Sequence, residues 1–289
     1  MLNDFLKIGF IQTNIDNEIA WGPEQDITLR IKEESEYYVW QEIKKGFHNL
    51  YNMNSKPDIV VMPEITIPLG FKNLLRSFSV QLNAVVFAGL DYIINPDGSL
   101  YNKGILIVPE NWNTTLESKK SSCFFMGKYH CANVEEISIE KYNEQKNTKI
   151  KFTSDTNMYL IDSGEYGKIG FAICSDFYDL ERYVAYKGRV QHIIILAYNK
   201  DTNSFFALAE AIARLVMCNV VICNTGHFGD SLVFSPYKDS FKRMVFRHQG
   251  SDQFMTQVVN LPVRNLKYEQ IVKPKKSTFK IPPGYKYII

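Results

Sequence analysis

The chain has 289 residues, of which 45% are hydrophobic and 22% charged, and its formal net charge is +2 at pH 7. This composition is ordinary for a globular protein with a large core. The near-neutral charge, with Lys and Arg scattered along the chain, excludes an electrostatic case for binding nucleic acid or a membrane surface. No apolar run approaches the roughly 18–20 residues that span a bilayer, and the first residues show no secretory signal, so we expect a cytoplasmic protein.

Helix and strand patterns alternate along the first half of the chain. The sequence predicts, in order, a strand at 7–12, an amphipathic helix at 24–53, a strand ending at 64, a helix at 71–82, and strands at 84–94 and 103–108 joined through an Asn-Pro-Asp-Gly turn. Residues 111–122 and 133–155 are polar and are predicted as loops, which are either lids over a site or solvated excursions of the surface.

The second half of the chain continues the alternation. It predicts, in order, a hairpin formed by 157–162 and 168–174, a helix at 178–188, a strand at 192–197, a helix at 203–217, and strands at 219–224, 231–234, 242–246 and 254–260. The hairpins indicate mixed rather than purely parallel sheets. We therefore expect one α/β domain over residues 1–271, with helices on the outer faces of two stacked mixed sheets. Residues 272–289 are predicted as a tail off the core, which either crosses a subunit boundary or is loose.

Three strand patterns end abruptly at a residue that can carry chemistry. Glu64 follows an apolar run, Lys128 follows a second, and Cys174 follows a third. Because α/β sheets place their chemistry at the carboxyl ends of strands, a carboxylate, an ammonium and a thiol at three strand ends predict one active site. The five cysteines, at positions 123, 131, 174, 218 and 223, show no spacing suited to zinc, and Cys123, Cys218 and Cys223 are interpreted as small buried hydrophobic residues.

The sequence around these three positions resembles the nitrilase superfamily of carbon–nitrogen hydrolases. The motifs that carry the resemblance are Pro-Glu at 63–64, Asp-Gly at 97–98, Tyr-Asn at 101–102, Gly-Lys-Tyr-His at 127–130, Ile-Cys-Ser-Asp at 173–176 and the segment 219–226. The resemblance covers roughly residues 5–270. It implies a four-layer αββα sandwich of two stacked mixed sheets, in which Glu64 is the general base, Lys128 the electrostatic stabiliser and Cys174 the nucleophile.

The physical chemistry of these groups supports the same roles. A thiol with an ordinary pKa of about 8.5 is only a few per cent thiolate at neutral pH, so it needs a base or a cation nearby. Glu64 can accept the proton of Cys174, while Lys128 and a backbone N–H after the cysteine can stabilise the charge that develops on the attacked group. The resemblance implies hydrolysis of a non-peptide carbon–nitrogen bond in a small amide, carbamoyl or nitrile compound through a thioester, with amides favoured and no metal or organic cofactor.

Other residues near the motifs are candidates for positioning substrate. The resemblance implies a second glutamate shortly after the lysine; Glu136 lies at the matching offset, although Glu135 adjoins it. Ser175 and Tyr178 are candidates for the pocket wall. Asp176 is predicted to cap the following helix or to tie down the turn that carries the nucleophile.

Two alternative functions use the same residues. The fold could serve as a binding or regulatory module in a larger assembly with weak or no turnover, or an amine could replace water and make the chain an acyltransferase. The resemblance also implies a homodimer or higher homo-oligomer, formed through the helix at 178–188 and the C-terminal segments.

Overall fold

A computed structural model describes residues 4–114 and 116–288 of the chain. Some residues covered by the predictions lie outside the described residues. They are the first three residues of the predicted domain, Thr115 in a predicted loop, and Ile289 in the predicted tail.

The strands of the described chain fall where the sequence alternates or runs apolar. In chain order they are β1 (Phe5–Gln12), β2 (Ile59–Val61), β3 (Val85–Gly89), β4 (Ile93–Ile94), β5 (Ser99–Tyr101), β6 (Lys103–Pro109), β7 (Ser121–Gly127), β8 (Lys151–Phe152), β9 (Leu160–Asp162), β10 (Lys168–Ile173), β11 (His192–Leu196), β12 (Asn219–Cys223), β13 (Ser231–Phe234), β14 (Met244–His248) and β15 (Met255–Pro262).

The α-helices of the described chain lie between these strands. They are α1 (Asn17–Trp21), α2 (Glu33–Asn52), α3 (Lys72–Leu82), α4 (Asn133–Lys146), α5 (Leu180–Tyr186), α6 (Thr202–Ile212), α7 (Ser240–Arg243) and α8 (Arg264–Val272). None of the helices in residues 4–114 and 116–288 combines the length and the apolar character needed to cross a membrane.

Two six-stranded mixed sheets form the centre of the fold. The first has the order β15-β1-β2-β3-β6-β7 and the second the order β14-β13-β12-β11-β10-β9. A third, small sheet has the order β4-β5-β8. The mixed character confirms the prediction from the hairpins. Strands β1, β2 and β3 run parallel, β6 is antiparallel to β3, and β7 is antiparallel to β6.

A continuous apolar core joins the two large sheets. Side chains from alternate positions of β1, such as Ile8 and Phe10, belong to the same cluster as Phe171 of β10 and Ile194 of β11. The Phe87 and Phe171 rings meet edge to face at 4.6 Å, one from each sheet. Helices α2 and α3 pack against the other face of the first sheet, and α5 and α6 against the other face of the second.

Helix α2 begins nine residues later than predicted. Its buried positions Val39, Ile43, Phe47 and Leu50 follow the helical spacing on which the prediction rested. The preceding segment is instead a short 3₁₀ turn at Glu24–Asp26 followed by irregular chain, in which the backbone N–H of Ile31 donates to the buried carboxylate of Asp91 at 2.8 Å. The local spacing of apolar residues gives no sign of this tertiary contact.

The predicted polar loop at 133–155 is wrong, because α4 occupies most of it. Its residues are good helix formers, and the helix ends at Asn147, which adopts the left-handed conformation with φ 51°. Ile139 is the buried residue of this helix among those described, so the apolar period that would reveal it is almost absent.

The expectation that the tail stays off the core is also wrong. Phe279 and Tyr285 are 2% and 1% exposed and pack in one cluster with Met217 and Leu266. The Phe279 ring stacks on Tyr237 at 4.9 Å. Isolated aromatic residues among lysines and prolines gave no periodic signal, yet both pack in this cluster on the domain.

Candidate active site

The three predicted catalytic side chains come together at one edge of the two large sheets. Glu64 lies three residues beyond β2, and Lys128 directly follows β7. Strand β7 is antiparallel to β6, which is antiparallel to β3, so β7 and β2 end on the same side. Cys174 directly follows β10 of the second sheet and lines the same pocket as Glu64 and Lys128. The predicted convergence is therefore present in the structure.

A close approach of two backbones fixes the position of Glu64. Gly89, at the end of β3, lies so near that a Cβ atom there would stand 2.3 Å from the Cα of Glu64. Only glycine leaves room for this approach. Thr66 and Ile67 both donate their backbone N–H groups to the carbonyl of Gly89 at 2.9 Å, which holds the strand end against it.

Lys128 is buried between two carboxylates. Its Nζ donates to Oε1 of Glu64 at 2.8 Å and to Oε2 of Glu135 at 2.5 Å, and the lysine side chain is 1% exposed. Bonds between ionised groups are among the strong hydrogen bonds in proteins, and burial of a single charge without such partners would be costly. The two acids therefore hold the ammonium in place.

Two further side chains orient the carboxylates. Asn102 donates through Nδ2 to Glu64 at 2.7 Å and to Glu135 at 2.8 Å, and the Tyr92 hydroxyl donates to Glu135 at 2.7 Å. The backbone N–H of Tyr198 donates to the other oxygen of Glu64 at 3.1 Å. Asn102 lies in the Tyr-Asn motif of the sequence, but nothing in the motif assigned it to the carboxylates, and Tyr92 carried no sequence signal.

The second glutamate of the site is Glu135 and not Glu136. Glu135 is half-buried at the first turn of α4, where its carboxylate also accepts the backbone N–H of Ala132 at 2.8 Å. Glu136 is the next residue on the helix, points a third of a turn away, and is exposed. The assignment of Glu136 as a substrate-positioning residue is corrected for this reason.

The surroundings of the two acids shift their pKa values in opposite directions. Burial raises the pKa of Glu64 above its ordinary value, even though Lys128 opposes the rise. Burial acts in the same direction on Glu135, but Lys128 and its hydrogen bonds hold the pKa of that carboxyl below its ordinary value. Burial disfavours the charged lysine, yet the negative groups around it raise the pKa of Lys128 well above its ordinary range.

Cys174 is a protonated thiol in the resting site. Burial, followed by the negative charge of Glu64, raises the pKa of the thiol well above its usual range. The thiol lies within hydrogen-bonding reach of Glu64. Cys174 adopts a left-handed backbone conformation with φ 44°, which is rare for residues other than glycine and asparagine. Such strain is often stored at functional sites, and here it occurs at the junction of β10 and a tight turn.

Buried ionic contacts hold the turn that follows the cysteine. The carboxylate of Asp176 accepts the backbone N–H groups of Tyr129 and His130 at 3.1 Å and 2.9 Å, and Arg182 lies 3.4 Å from it. Asp176 thus ties the Cys174 turn to the residues after Lys128. Tying down this turn was one of the two roles predicted for Asp176. Asp179, rather than Asp176, caps helix α5.

Ser175 and Tyr178 do not line the pocket that contains Cys174. The Ser175 hydroxyl donates to the backbone carbonyl of His130 at 2.6 Å, and the Tyr178 ring is exposed and contacts Phe205 edge to face. Both residues line a neighbouring surface groove. Their assignment as substrate-positioning residues is corrected, because the turn at Cys174 carries the chain out of the pocket.

The pocket itself is about 480 Å³, a size suited to a small organic molecule. Apart from the ionised groups at its base, its wall is mainly apolar. Lining side chains include Trp21, Leu29, Ile65, Tyr198 and Phe228. Within residues 4–114 and 116–288, no group of three or more His, Cys, Asp or Glu side chains has the arrangement of a metal site.

Comparison with solved structures identifies the fold. An amidase mutant from Nesterenkonia sp. AN1, which carries the acetamide moiety of fluoroacetamide on its active site cysteine, matches with a TM-score of 0.63 and 11% identity over 91% of this chain and 93% of that chain. A carbon-nitrogen hydrolase from Helicobacter pylori matches with a TM-score of 0.65 and 12% identity over 91% and 92%.

Saccharomyces cerevisiae Nit3, a member of the nitrilase superfamily, matches with a TM-score of 0.60 and 14% identity over 95% of this chain and 97% of that chain. A scan against protein-family models found no match, and a search of curated proteins found none either. At these identities the likeness shows the fold alone, a mixed α/β fold with two large mixed sheets, which is consistent with the sandwich that the sequence resemblance implied.

Proposed function

We propose that this chain, which has the fold of the nitrilase superfamily, hydrolyses the carbon–nitrogen bond of small amides through Glu64, Lys128 and Cys174. The observation that carries the proposal is the position of Lys128, whose Nζ lies 2.8 Å from Glu64 in a pocket that Cys174 also lines. A buried thiol beside a carboxylate and an ammonium is the combination that nucleophilic attack on an amide requires.

In the first half of the reaction, the Cys174 sulfur attacks the amide carbonyl carbon while Glu64 takes the thiol proton. Because the raised pKa of the thiol keeps it protonated at rest, proton transfer accompanies attack instead of preceding it. The carbonyl oxygen gains negative charge, which the buried ammonium of Lys128 stabilises. The carbon–nitrogen bond then breaks, Glu64 returns its proton to the nitrogen, and ammonia or an amine leaves a thioester on Cys174.

In the second half, Glu64 takes a proton from a water molecule that attacks the thioester carbon. The carbon–sulfur bond breaks, the proton returns to sulfur, and the carboxylic acid leaves. Asn102 and the backbone N–H of Tyr198 keep the two oxygens of Glu64 fixed during both proton transfers. This fixed geometry is what makes one carboxylate sufficient as base and then as acid.

Ammonia release from a panel of short aliphatic amides and nitriles tests the proposal. We expect turnover of amides, with the free acid as product. Formation of a hydroxamate from added hydroxylamine, without any free acid when water is the sole acceptor, would instead support an acyltransferase. The amidase neighbour makes fluoroacetamide a useful probe, since it modifies the active site cysteine of that protein. Failure of every amide and of fluoroacetamide to react would support the binding-module alternative.

The pH dependence of kcat/KM is expected to have an acid limb above pH 4.5. Glu64 must be ionised to accept the thiol proton, and its pKa is raised from the ordinary 4.5, so activity is lost as the pH falls through that raised value. Glu135→Gln removes a negative charge that raises the pKa of Glu64, so the limb should move to lower pH in this variant. Rate profiles from pH 4 to 9 measure the shift; a limb at or below 4.5 in the unmodified protein would contradict the role of Glu64.

Adjacent acids on α4 provide a matched pair of variants. Glu135→Gln weakens the bond that holds Lys128, and we expect kcat/KM for an amide to fall about 100-fold, of the order that loss of one charge-stabilising contact produces. Glu136→Gln changes an exposed carboxylate outside the pocket, and we expect a change of less than about threefold. Steady-state kinetics on both variants checks this, and equal losses would contradict the geometry.

The finer architecture and the assembly belong to the same proposal. We infer a four-layer αββα arrangement, since helices pack on the outer face of each large sheet. We also infer a homodimer through α5, where Leu180 and Val184 are 69% and 70% exposed one turn apart. Light scattering coupled to size-exclusion chromatography tests the dimer, and Val184→Glu should convert it to a monomer.

A further inference from the structure

Three aromatic side chains in the wall of the active-site pocket present carbon to a ligand. Trp21 and Tyr198 are half-buried and line the pocket, but the indole Nε1 and the phenol hydroxyl are covered by the protein, so the accessible surface of both side chains is carbon. The Tyr198 ring contacts the Trp21 ring at 5.6 Å and the half-buried Phe228 ring at 5.4 Å, both edge to face. These three rings form one apolar surface, the aromatic wall.

Aliphatic side chains from three other segments enlarge this apolar surface. Ile27 belongs to the chain between α1 and α2, Ile65 follows Glu64, and Val134 lies in the first turn of α4; all three line the pocket. The Val134 side chain is 62% exposed, so a large apolar area remains for a ligand to cover. Removing such area from water is the main driving force for binding an apolar group.

Polar side chains of the same wall are already bonded within the protein. The hydroxyls of Thr28 and Ser138 donate to backbone carbonyls of their own segments at 2.6 Å and 2.9 Å, and the side-chain amide of Asn199 donates to another carbonyl at 2.9 Å. A group that already has its hydrogen bond gains little by exchanging it for one to a ligand. These side chains therefore give a polar acyl chain little advantage over an apolar one.

The charges around the pocket disfavour a charged acyl chain. At the base, two acids flank the single ammonium of Lys128, so the net charge there is negative, or neutral when Glu64 is protonated. Lys200 and Asp201, which also line the pocket, are exposed and carry opposite charges. An anionic chain would be repelled by the base, and a chain of either sign would lose hydration against the aromatic and aliphatic surface.

We propose that the substrate is an uncharged amide with an apolar acyl group larger than acetyl, and that Trp21, Tyr198 and Phe228 bind this group through their ring carbons. This inference rests on the proposed amide hydrolysis. It makes the aromatic wall the determinant of specificity, and it excludes as good substrates those amides whose acyl chain ends in a carboxylate or an ammonium.

Amides of increasing acyl size test the apolar preference. The series is acetamide, butyramide, hexanamide and phenylacetamide. Burial of one methylene typically strengthens binding about three- to fourfold, and binding energy that is also present in the transition state raises kcat/KM. We expect kcat/KM for the better of hexanamide and phenylacetamide to exceed that for acetamide by at least about 30-fold. An equal or lower value for both larger amides would overturn the proposal.

Charged isosteres of hexanamide test the exclusion of charge. Adipamate and ω-aminopentanamide have the same run of methylenes as hexanamide, and a carboxylate or an ammonium replaces its terminal methyl group. We expect kcat/KM for hexanamide to exceed that for either charged amide by at least about tenfold, because the charged end loses hydration in the pocket. Equal or better turnover of adipamate or ω-aminopentanamide would show that the pocket selects a charge, contrary to the proposal.

Removal of one ring tests the aromatic wall. We expect Phe228→Ala to lower the ratio of hexanamide to acetamide kcat/KM about tenfold, because the acyl chain loses part of the surface that it covers. Phe206→Ala is the matched control, since Phe206 is a half-buried residue of α6 that contacts Phe234 outside the pocket, and it should leave the ratio unchanged. A ratio that survives Phe228→Ala would overturn the role of the wall.

A gain of charge preference provides a test that misfolding cannot imitate. Ile27→Lys places an ammonium in the wall, and we expect the ratio of adipamate to hexanamide kcat/KM to rise at least about tenfold. Ile19→Lys is the control, since Ile19 is 50% exposed on α1 and does not line the pocket. An unchanged ratio in Ile27→Lys would overturn the placement of the acyl chain against this wall.

Binding to the Cys174→Ala protein separates this inference from the proposed function. Calorimetric titration with hexanamide and adipamate requires no turnover. If no amide is hydrolysed but hexanamide binds at least about tenfold more tightly than adipamate, the apolar recognition stands and the hydrolase function fails. If amides are hydrolysed and the two ligands bind equally, the function stands and the apolar recognition fails.

Discussion

Cys174→Ala is expected to lower kcat/KM for amides by at least about 10⁴-fold, the scale on which loss of a nucleophile reduces activity. The sulfur is the one atom of the site that forms a bond to carbon, and neither Glu64 nor Lys128 can replace it. The protein should remain folded, because alanine keeps the Cβ atom and removes only the sulfur, which borders the existing pocket at the end of β10. Steady-state kinetics and circular dichroism on the same sample measure the two effects.

The matched control for this change is Cys123→Ala. Cys123 lies on β7, five residues before Lys128, and is partly exposed outside the pocket. We expect its kcat/KM to stay within about threefold of the unmodified protein. Substantial activity in Cys174→Ala, or a comparable loss in Cys123→Ala, would remove the basis for calling Cys174 the nucleophile.

Lys128→Met is expected to reduce both activity and stability. Without the ammonium, Glu64 and Glu135 remain buried and joined only through Asn102, so the pair of negative charges is uncompensated. Removing one partner of a buried ion pair typically costs about 3–5 kcal/mol of folding free energy. The loss of charge stabilisation in the transition state should lower kcat/KM by a further factor of about 10² to 10³.

A double variant distinguishes this electrostatic cause from poor packing. In Lys128→Met with Glu135→Gln, one of the two unpaired charges is gone, so urea unfolding should show a higher free energy of unfolding than Lys128→Met alone. Lys44→Met, on the exposed face of α2, controls for the substitution itself. If the double variant is no more stable than the single one, repulsion between the acids is not the cause.

The sequence pointed to the three residues of the proposed triad because their signal is local. Glu64, Lys128 and Cys174 each follow a run of apolar residues, and a change from apolar to polar marks the end of a buried strand. Sheet topology then brings such ends to one edge, as the α/β arrangement predicts. The contacts of Asn102 and Tyr92 with the carboxylates depend instead on where three separate segments meet, and no local pattern encodes that.

The choice between Glu135 and Glu136 depended on the phase of a helix that the sequence concealed. Because α4 buries little apolar surface, its polar residues read as a loop, and in a loop the two acids are equivalent. In a helix, adjacent side chains point about 100° apart, so the rotation of the helix decides which of the two acids contacts Lys128. Ser175 and Tyr178 were misplaced for a related reason, since the left-handed backbone of Cys174 redirects the following turn and sequence gives no sign of it.

The residues that form the pocket wall could not be predicted from the sequence either. Asn17 and Trp21 belong to a five-residue helix after β1, while Tyr198 follows β11 of the other sheet, 177 positions after Trp21. Taken separately, each looks like an ordinary amphipathic side chain. They line one pocket because separate segments of the chain meet there, which is a property of the folded chain.

Peptide-resolved mass spectrometry after treatment with fluoroacetamide tests the central claim most directly, because it reports on the nucleophile and its base without knowledge of the substrate. The account predicts a single acetamide-derived addition on Cys174, with the other four cysteines unmodified, and a much slower reaction in Glu64→Gln. Addition at Cys123 or Cys131 in preference to Cys174, or an unchanged rate in Glu64→Gln, would contradict it.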